Sequence, residues 1–296
     1  MKALLVYNPQ AGHGRARKIL PKIESLFNKH KIEFDLCLTD YPEHGIDIVR
    51  GIAFNQYDCL VAAGGDGTLF EVINGYYKNK STKRIPLGIL PIGTGNAFAR
   101  DLDLDNTMIE SAVEIIANNI TKKVDVGYFK THGQEYYYLN ILGLGFVADV
   151  TETAHKLKLF GNLSYTLGVL YRTIFLKSND VTLEIDGKKY DRQCTFIEVS
   201  NTRYTANFLM APHAKIDDGL LDITLAGKLG RIRLIRCFPK IFSGEHIYLD
   251  EVETFQARSI KIQTDESKVL TPDGELIGIS PVEIKCLPGA IEVFWK

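Results

Sequence analysis

The chain has 296 residues, 45% hydrophobic and 24% charged, with a formal net charge of −1. This length suits one large domain or two ordinary ones, and the composition is that of a globular protein able to bury a sizeable core. A near-neutral balance excludes a global field that would draw the chain to nucleic acid, so no nucleic-acid partner is expected and any attraction to an anionic membrane must be local.

The opening MKALLVYNP lacks the apolar length and cleavage site of a signal peptide and reads as a first strand over residues 3–7. A helical pattern over 15–29 follows, then a strand at 34–38, a helix at 44–54 and a strand at 59–63. GGDGTLFEVING at 64–75 comes next, with Leu69, Val72, Ile73 and Tyr76 on one helical face. A strand at 86–90 leads into PIGTGN at 91–96, a helix begins at 97, and a clearer helix covers 108–118. This alternation predicts a parallel sheet with helices on both faces.

From about residue 126 the pattern turns β-rich, with strands within 182–200, 220–225 and 259–264. Asp186-Gly187 reads as a hairpin turn. Helical segments are expected at about 157–177 and 229–243. The predicted domains are therefore 1–125 (α/β, nucleotide-binding) and 126–296 (mostly antiparallel β), closely packed around a cleft. The extreme C-terminus is a candidate to return to the first domain. No stretch reaches the ~18 apolar residues of a membrane span; the nearest, 165–176, is interrupted by Arg172. The scattered Cys37, Cys59, Cys194, Cys237 and Cys286 form no metal or disulfide spacing, so a reducing, cytoplasmic setting is expected.

Three polar, glycine-bearing turns lie at the carboxyl ends of predicted strands: NPQAGHG at 8–14, GGDGT at 64–68 and PIGTGN at 91–96. Ligands bind at that edge of open α/β sheets. Glycine turns entering helices can aim backbone N–H groups at an anion, so a phosphate or nucleotide site is expected. Neither a Walker A loop nor a GxGxxG after the first strand occurs. Two later segments each admit two readings. Lys215–Asp222 (KIDDGLLD) is either a polar turn entering a strand or an oxygen-ligand site for a hard cation such as Mg²⁺. Thr271–Glu275 (TPDGE) is either a tight hairpin turn or a carboxylate pair with one member as general base.

NPQAGHG, GGDGTLFEVING, PLGILPIGTGNAFARDL, APHAKIDDGLLDI, DGE and the ending LPGAIEVF, in this order, resemble the diacylglycerol kinase catalytic-domain family of lipid kinases over almost the whole chain. The resemblance implies an α/β N-terminal domain, a C-terminal antiparallel β-sandwich, and ATP in the cleft between them. It implies nucleotide contacts at Asn8, Pro9, Gln10, Ala11, Gly12 and Thr39, at Gly65, Asp66, Gly67, Thr68, Leu69, Phe70 and Glu71, and at Gly93 and Thr94. Asp66 matches an aspartate near the phosphates and the catalytic metal. Asp218, with the carbonyls of Lys215 and Leu220, matches a structural magnesium site. Glu275 matches the residue that takes the proton from the acceptor hydroxyl, with Asp273 its neighbour. The chain departs from many bacterial members in carrying Ala97 after GTGN, where they have Asp, and in lacking a glycine pair within SNTRYTANFLMAP.

The expected activity is transfer of the ATP γ-phosphoryl group to a hydroxyl of a membrane lipid, a step in lipid metabolism or phospholipid biosynthesis. The alternatives are an NAD kinase-like activity on a soluble nucleotide and a catalytically silent, nucleotide-sensing membrane adaptor. KLGRIRLIRCFPKIFS at 228–243 is basic and carries apolar residues at helical spacing. It is either a peripheral membrane contact or a helix packed on its own domain with a solvated basic face. Residues 156–170 are a second candidate. A homodimer is compatible with all of this.

Overall fold

The computed structural model describes residues 1–156 and 164–296. The chain divides into two compact units, Met1–Val124 with Gly289–Lys296, and Asp125–Pro288.

The first unit runs β1 (Lys2–Tyr7), α1 (Arg15–Lys29), β2 (Glu33–Leu38), α2 (His44–Gly51), β3 (Cys59–Gly64), α3 (Asp66–Lys78), β4 (Leu87–Pro91), α4 (Ala97–Asp101) and α5 (Ile109–Asn118). Its sheet has the order β2-β1-β3-β4, all parallel. Every residue of β3 and β4 is buried, as expected of strands covered on both faces. The edge strand β2 alternates instead, and its Asp35 pairs with Lys2 at 2.8 Å. Right-handed crossovers send β1→β2 and β2→β3 over opposite faces. In keeping, α1 packs with α5 while α2 packs with α3. Helix α2 ends at Gly51, earlier than the periodicity predicts. The buried Asn79 amide takes the carbonyls of Val49 (2.7 Å) and Ile52 (2.8 Å), stopping the helix before a single 3-10 turn at Phe54–Gln56.

The second unit contains β5 (Thr121–Thr131, from its fifth residue), β6 (Gln134–Tyr138), β7 (Ile141–Gly145), α6 (Phe146–Lys156), α7 (Ser164–Thr173), β8 (Asn179–Ile185) and β9 (Lys188–Ser200). Then come β10 (Tyr204–Thr205), β11 (Phe208–Leu209), β12 (Leu221–Gly227), α8 (Arg231–Cys237), α9 (Lys240–Ser243), β13 (Val252–Ala257), β14 (Ser259–Thr264), β15 (Leu270–Pro272) and the first part of β16 (Val282–Phe294). The early half of β9 pairs antiparallel with β8, which continues to β14 and β16. Its later half lies between β7 and β12. Rows Ile185–Ile260–Ile284 and Leu183–Ile262–Val282 cross three strands on one buried face. The Asp186-Gly187 hairpin forms as expected, both residues at positive φ (45° and 82°).

Beyond Cys194 both faces of β9 are buried. Ile197 and Val199 share one face with Leu225, Ile223, Leu144 and Leu142; Phe196 and Glu198 share the other with Ala226 and Thr224. The second face belongs to a core that includes Phe146, Val150 and Val169 of the helices and Phe208, Leu234 and Phe238.

Helix α6 is absent from the sequence reading because FVADVTETAHK is rich in β-branched residues. Packing on β7 and β9 overrides that preference, and Thr151 and Thr153 turn their hydroxyls back to the carbonyls of Val147 and Asp149 (both 3.0 Å). Helix α7 falls inside the segment expected at 157–177; residues 157–163 lie outside the described residues. The helix expected at 229–243 is two, α8 and α9, with Pro239, which has no N–H, between them.

Candidate functional site

Strands β1 and β3 are neighbours whose following helices leave to opposite faces, which opens a crevice at their carboxyl ends. The polar turns meet there. The Asn8 amide donates to the Ala63 carbonyl (2.9 Å), and Asn8 Nδ2 donates to Thr68 Oγ1 (3.0 Å). Asn8 Oδ1 accepts from the Gln10 amide (2.9 Å), which shapes the turn through Pro9, Ala11 and Gly12. The Thr39 amide reaches the Tyr7 carbonyl (2.9 Å), so the end of β2 adjoins the same turn. Ile92 and Gly93 donate their amides to the Gly64 carbonyl (2.8 and 2.9 Å), joining the second turn to the third. A Cβ on Gly93 would lie 2.4 Å from Gly65 Cα, so the two backbones touch where glycine alone fits.

Helix α3 begins at Asp66, three residues before the apolar periodicity suggests, with Gly65 as its N-cap. Gly65, Asp66, Gly67 and Thr68 therefore form a helix N-terminus, whose first amides have no carbonyl partner inside the helix and whose dipole favours an anion. Leu69 and Phe70 are buried in the core, so only their backbone is on offer. The Glu71 carboxylate accepts the amides of Glu43 (2.8 Å) and Gly45 (2.9 Å) and thereby caps α2. Thr94 is exposed.

Asp66 Oδ1 accepts the Ala97 amide at 2.8 Å. Burial pushes this carboxyl up to about 6, against the opposing pull of the backbone amides of Ala97, Asn96 and Phe98. Its environment thus favours a proton or a cation beside it. A small recess lined by Gly64, Gly65, Asp66, Leu69, Asn96 and Ala99 adjoins it.

In the second unit, Asp273 is a brace. Its Oδ1 accepts the amides of Asn140 and Ile141 (both 2.9 Å) and its Oδ2 that of Leu139 (3.1 Å), and the residue sits at φ 47°. Glu275, half-buried, follows in a turn closed by its amide on the Pro272 carbonyl at 2.8 Å. The Lys215–Leu220 loop is held by a carboxylate that the sequence reading did not single out. Asp125, 1% exposed, accepts the Gly219 amide at 2.6 Å and donates its own amide to the Ile216 carbonyl at 2.7 Å. Asp218 is exposed, and its Oδ1 accepts the Leu220 amide at 3.0 Å. Asp222 is pushed up to about 6, first by burial. Among the described residues no three His, Cys, Asp or Glu side chains gather as a metal cluster. A cation in the 215–220 loop would rest on Asp218, backbone carbonyls and water, an all-oxygen set of the kind hard cations take.

Two other residues escaped the sequence reading. Arg15 opens α1 and donates from Nη2 to the Ile92 carbonyl at 2.6 Å, bringing a fixed cation to the turns; its signal was its place directly after the glycine turn. Glu198, fully buried on β9, had none beyond an acid inside an apolar strand.

Residues 2–129 match the model of the family described as "Diacylglycerol kinase catalytic domain", and residues 140–295 that described as "YegS C-terminal NAD kinase beta sandwich-like domain". A diacylglycerol kinase of Bacillus subtilis is 30% identical over 287 residues, covering 95% of this chain and 92% of that protein. A diacylglycerol kinase of Mycobacterium tuberculosis is 29% identical, covering 99% and 94%. A crystal structure of a diacylglycerol kinase from Bacillus anthracis superposes with a TM-score of 0.79 at 28% identity, covering 100% of this chain and 97% of that one. With its α/β first domain, its β-sandwich second domain and these relatives along nearly its whole length, the chain belongs to the diacylglycerol kinase family.

Proposed function

We propose that the chain is an ATP- and Mg²⁺-dependent lipid kinase that transfers the γ-phosphoryl group to a hydroxyl of a membrane lipid, working at the membrane surface from the cytoplasm. The observation that carries the reading is the meeting of three polar turns at one sheet edge, in a chain of this family. The turns at 8–12, with Thr39, and 65–71, with Gly93 and Thr94, hold the nucleotide. The α3 N-terminus and Arg15 offset phosphate charge.

A lipid alcohol is a poor nucleophile at neutral pH, so a carboxylate must take its proton as the new P–O bond forms. Glu275 is assigned that role. Asp273 supports it by fixing the turn from which Glu275 projects rather than by moving a proton. Mg²⁺ near Asp66 would supply charge neutralisation of the triphosphate. A second ion at Asp218 and the Lys215 and Leu220 carbonyls would stiffen the loop it occupies.

The test is transfer of radiolabelled γ-phosphate from ATP to a panel of lipid alcohols in mixed micelles, beside NAD as a soluble acceptor. Labelled phospholipid that disappears in Glu275→Ala, with ATP binding retained, is the expected result. Label on NAD alone would sink the proposal.

A further inference from the structure

Glu198 is a buried carboxyl that the proposed phosphoryl transfer leaves unused. Thr271 of β15, Gly143 of β7, Glu198 of β9 and Thr224 of β12 lie opposite one another in a single row across four strands, so their side chains leave the sheet on one face. That face looks into the apolar core of Phe146, Val150, Phe208 and Phe238. Glu198 and Thr271 are fully buried there. A polar group in such surroundings is nearly always hydrogen-bonded, because without a partner it has given up its hydration for nothing. Thr224 meets that demand through the Met210 carbonyl at 3.4 Å. Glu198 Oε2 and Thr271 Oγ1 do not, since among the described residues neither has a partner. Only a glycine stands between them on β7. A Cβ on Gly143 would lie 3.0 Å from Thr271 Cγ2 and 2.9 Å from Val147 Cγ1, so Thr271 leans over the glycine.

The chemistry of the pair selects what completes it. Glu198 Oε1 already accepts the Thr205 and Ser200 hydroxyls, which leaves Oε2 to carry the carboxyl proton. Burial helps to keep that proton by pushing the group up to about 7, and no charged side chain is among the causes. Thr271 adds a hydroxyl. Two neutral donors without a fixed charge suit an uncharged group rich in acceptor oxygens, such as a carboxylic ester, better than an ammonium. The position is also apt. Thr271 lies four residues before Glu275, in the strand that enters the braced turn, and the Glu275 amide closes that turn on the Pro272 carbonyl at 2.8 Å. Thr205 belongs to the β10–β11 hairpin, a two-stranded sheet of its own with Ala206 at φ 50° and Asn207 exposed, so the hairpin reaches from Glu198 to solvent.

We infer that Glu198, with Thr271, is a specificity-determining anchor for the acceptor lipid, donating from Oε2 to an ester carbonyl of a glycerolipid whose free hydroxyl is the one phosphorylated. This rests on the lipid-kinase reading and narrows its acceptor from any lipid alcohol to one that carries an ester. The apolar core around the row suits the acyl chain that follows the carbonyl, and the unpartnered oxygens gain in the complex the bond that the free chain lacks.

The test is steady-state phosphorylation of 1,2-dioctanoylglycerol and of its ether analogue 1,2-dioctylglycerol, which has the same free hydroxyl and no carbonyl, in mixed micelles. Glu198→Leu should raise KM for the ester roughly tenfold, with kcat, KM for ATP and KM for the ether unchanged, so that the preference of the wild type for the ester shrinks by that factor. Glu198→Gln keeps a donor and an acceptor and should hold KM for the ester within about threefold of wild type. Should Glu198→Leu fail to fold, Thr271→Val carries the same test, because it is isosteric and breaks no side-chain hydrogen bond among the described residues; its expected rise is roughly fivefold. A variant that discriminates ester from ether as the wild type does, or that weakens both acceptors equally, would overturn the inference and leave the two oxygens to buried water. So would a wild type that phosphorylates a sphingoid base in preference to the ester and loses that preference in Glu198→Gln, which would give the carboxylate to an ammonium. In each of these cases the kinase reading stands. No phosphorylation of any lipid by the wild type would bring down the kinase reading and the inference together.

Discussion

Replacing Glu198 by Gln removes a carboxyl that the folded second unit holds away from water. The side chain is 0% exposed. Its Oε1 accepts hydrogen bonds from the hydroxyls of Thr205 and, at 3.5 Å, Ser200, and its Oε2 has no partner among the described residues. Burial pushes the group from 4.5 up to about 7, with the two hydroxyls pulling weakly the other way. Below pH 4.5 the folded and unfolded chains both carry the proton and folding bears no electrostatic cost. Between 4.5 and about 7 the unfolded chain has lost its proton and the native chain has not, so stability falls as pH rises; above about 7 the loss is complete. A difference of that size corresponds to roughly 3 kcal/mol.

Gln keeps an acceptor for Thr205 and cannot ionise. Urea unfolding followed from about pH 4 to about pH 9 should therefore show Glu198→Gln close to wild type at the acid end and more stable by up to ~3 kcal/mol at the alkaline end. Parallel profiles, or a Gln variant that loses stability at alkaline pH, would refute the reasoning. Either would mean that the folded chain keeps Glu198 ionised on a cation or a polar network.

Asp273→Ala should destabilise the second unit by about 3 kcal/mol or more, because it strands three buried backbone amides; Asp273→Asn should recover part of this in a denaturant melt. Gly93→Ala, whose Cβ would meet Gly65 Cα at 2.4 Å, should force the two turns apart and lower ATP affinity more than tenfold by calorimetry. Glu71→Ala should cost roughly 1–2 kcal/mol through loss of the α2 cap. If ATP affinity also falls by more than tenfold in folded Glu71→Ala, the carboxylate serves the nucleotide as well as the helix.

The sheet of the first unit was legible because β1, β3 and β4 are short apolar runs that the fold buries on both faces, each followed by a turn rich in glycine or proline. The meeting of the turns was legible for the same reason: parallel strands deliver all their carboxyl ends to one edge. The roles of individual carboxylates were not. TPDGE spells a turn whether or not its aspartate holds anything, and the amides that Asp273 braces lie 132 to 134 residues earlier. Glu71 sits beside the GGDGT turn, yet its carboxylate accepts amides 28 and 26 residues before it. Asp125 was hidden in an apolar run because its partner, the Gly219 amide, comes 94 residues later. Local periodicity carries no information about such distant pairings. Helix α6 failed for the complementary reason, since its threonines and valines favour a strand until a core is present to receive them.

The first unit is not one continuous stretch of chain. Its sheet is completed by Gly289–Lys296, where Val293 pairs with Leu87, the Ala290 carbonyl accepts the Tyr77 hydroxyl at 3.0 Å, and Trp295 lies under the Lys122 ammonium at 4.2 Å. During synthesis these residues leave the ribosome after the whole of the second unit. The second unit, Asp125–Pro288, has all of its residues before the first unit has its final strand, so the domain begun first is finished last. Until then the flank of β4 is an open strand edge, which a nascent chain must shield from its neighbours. A premature stop between the two segments of the first unit would thus injure that unit, although every residue of its polar turns had already been made.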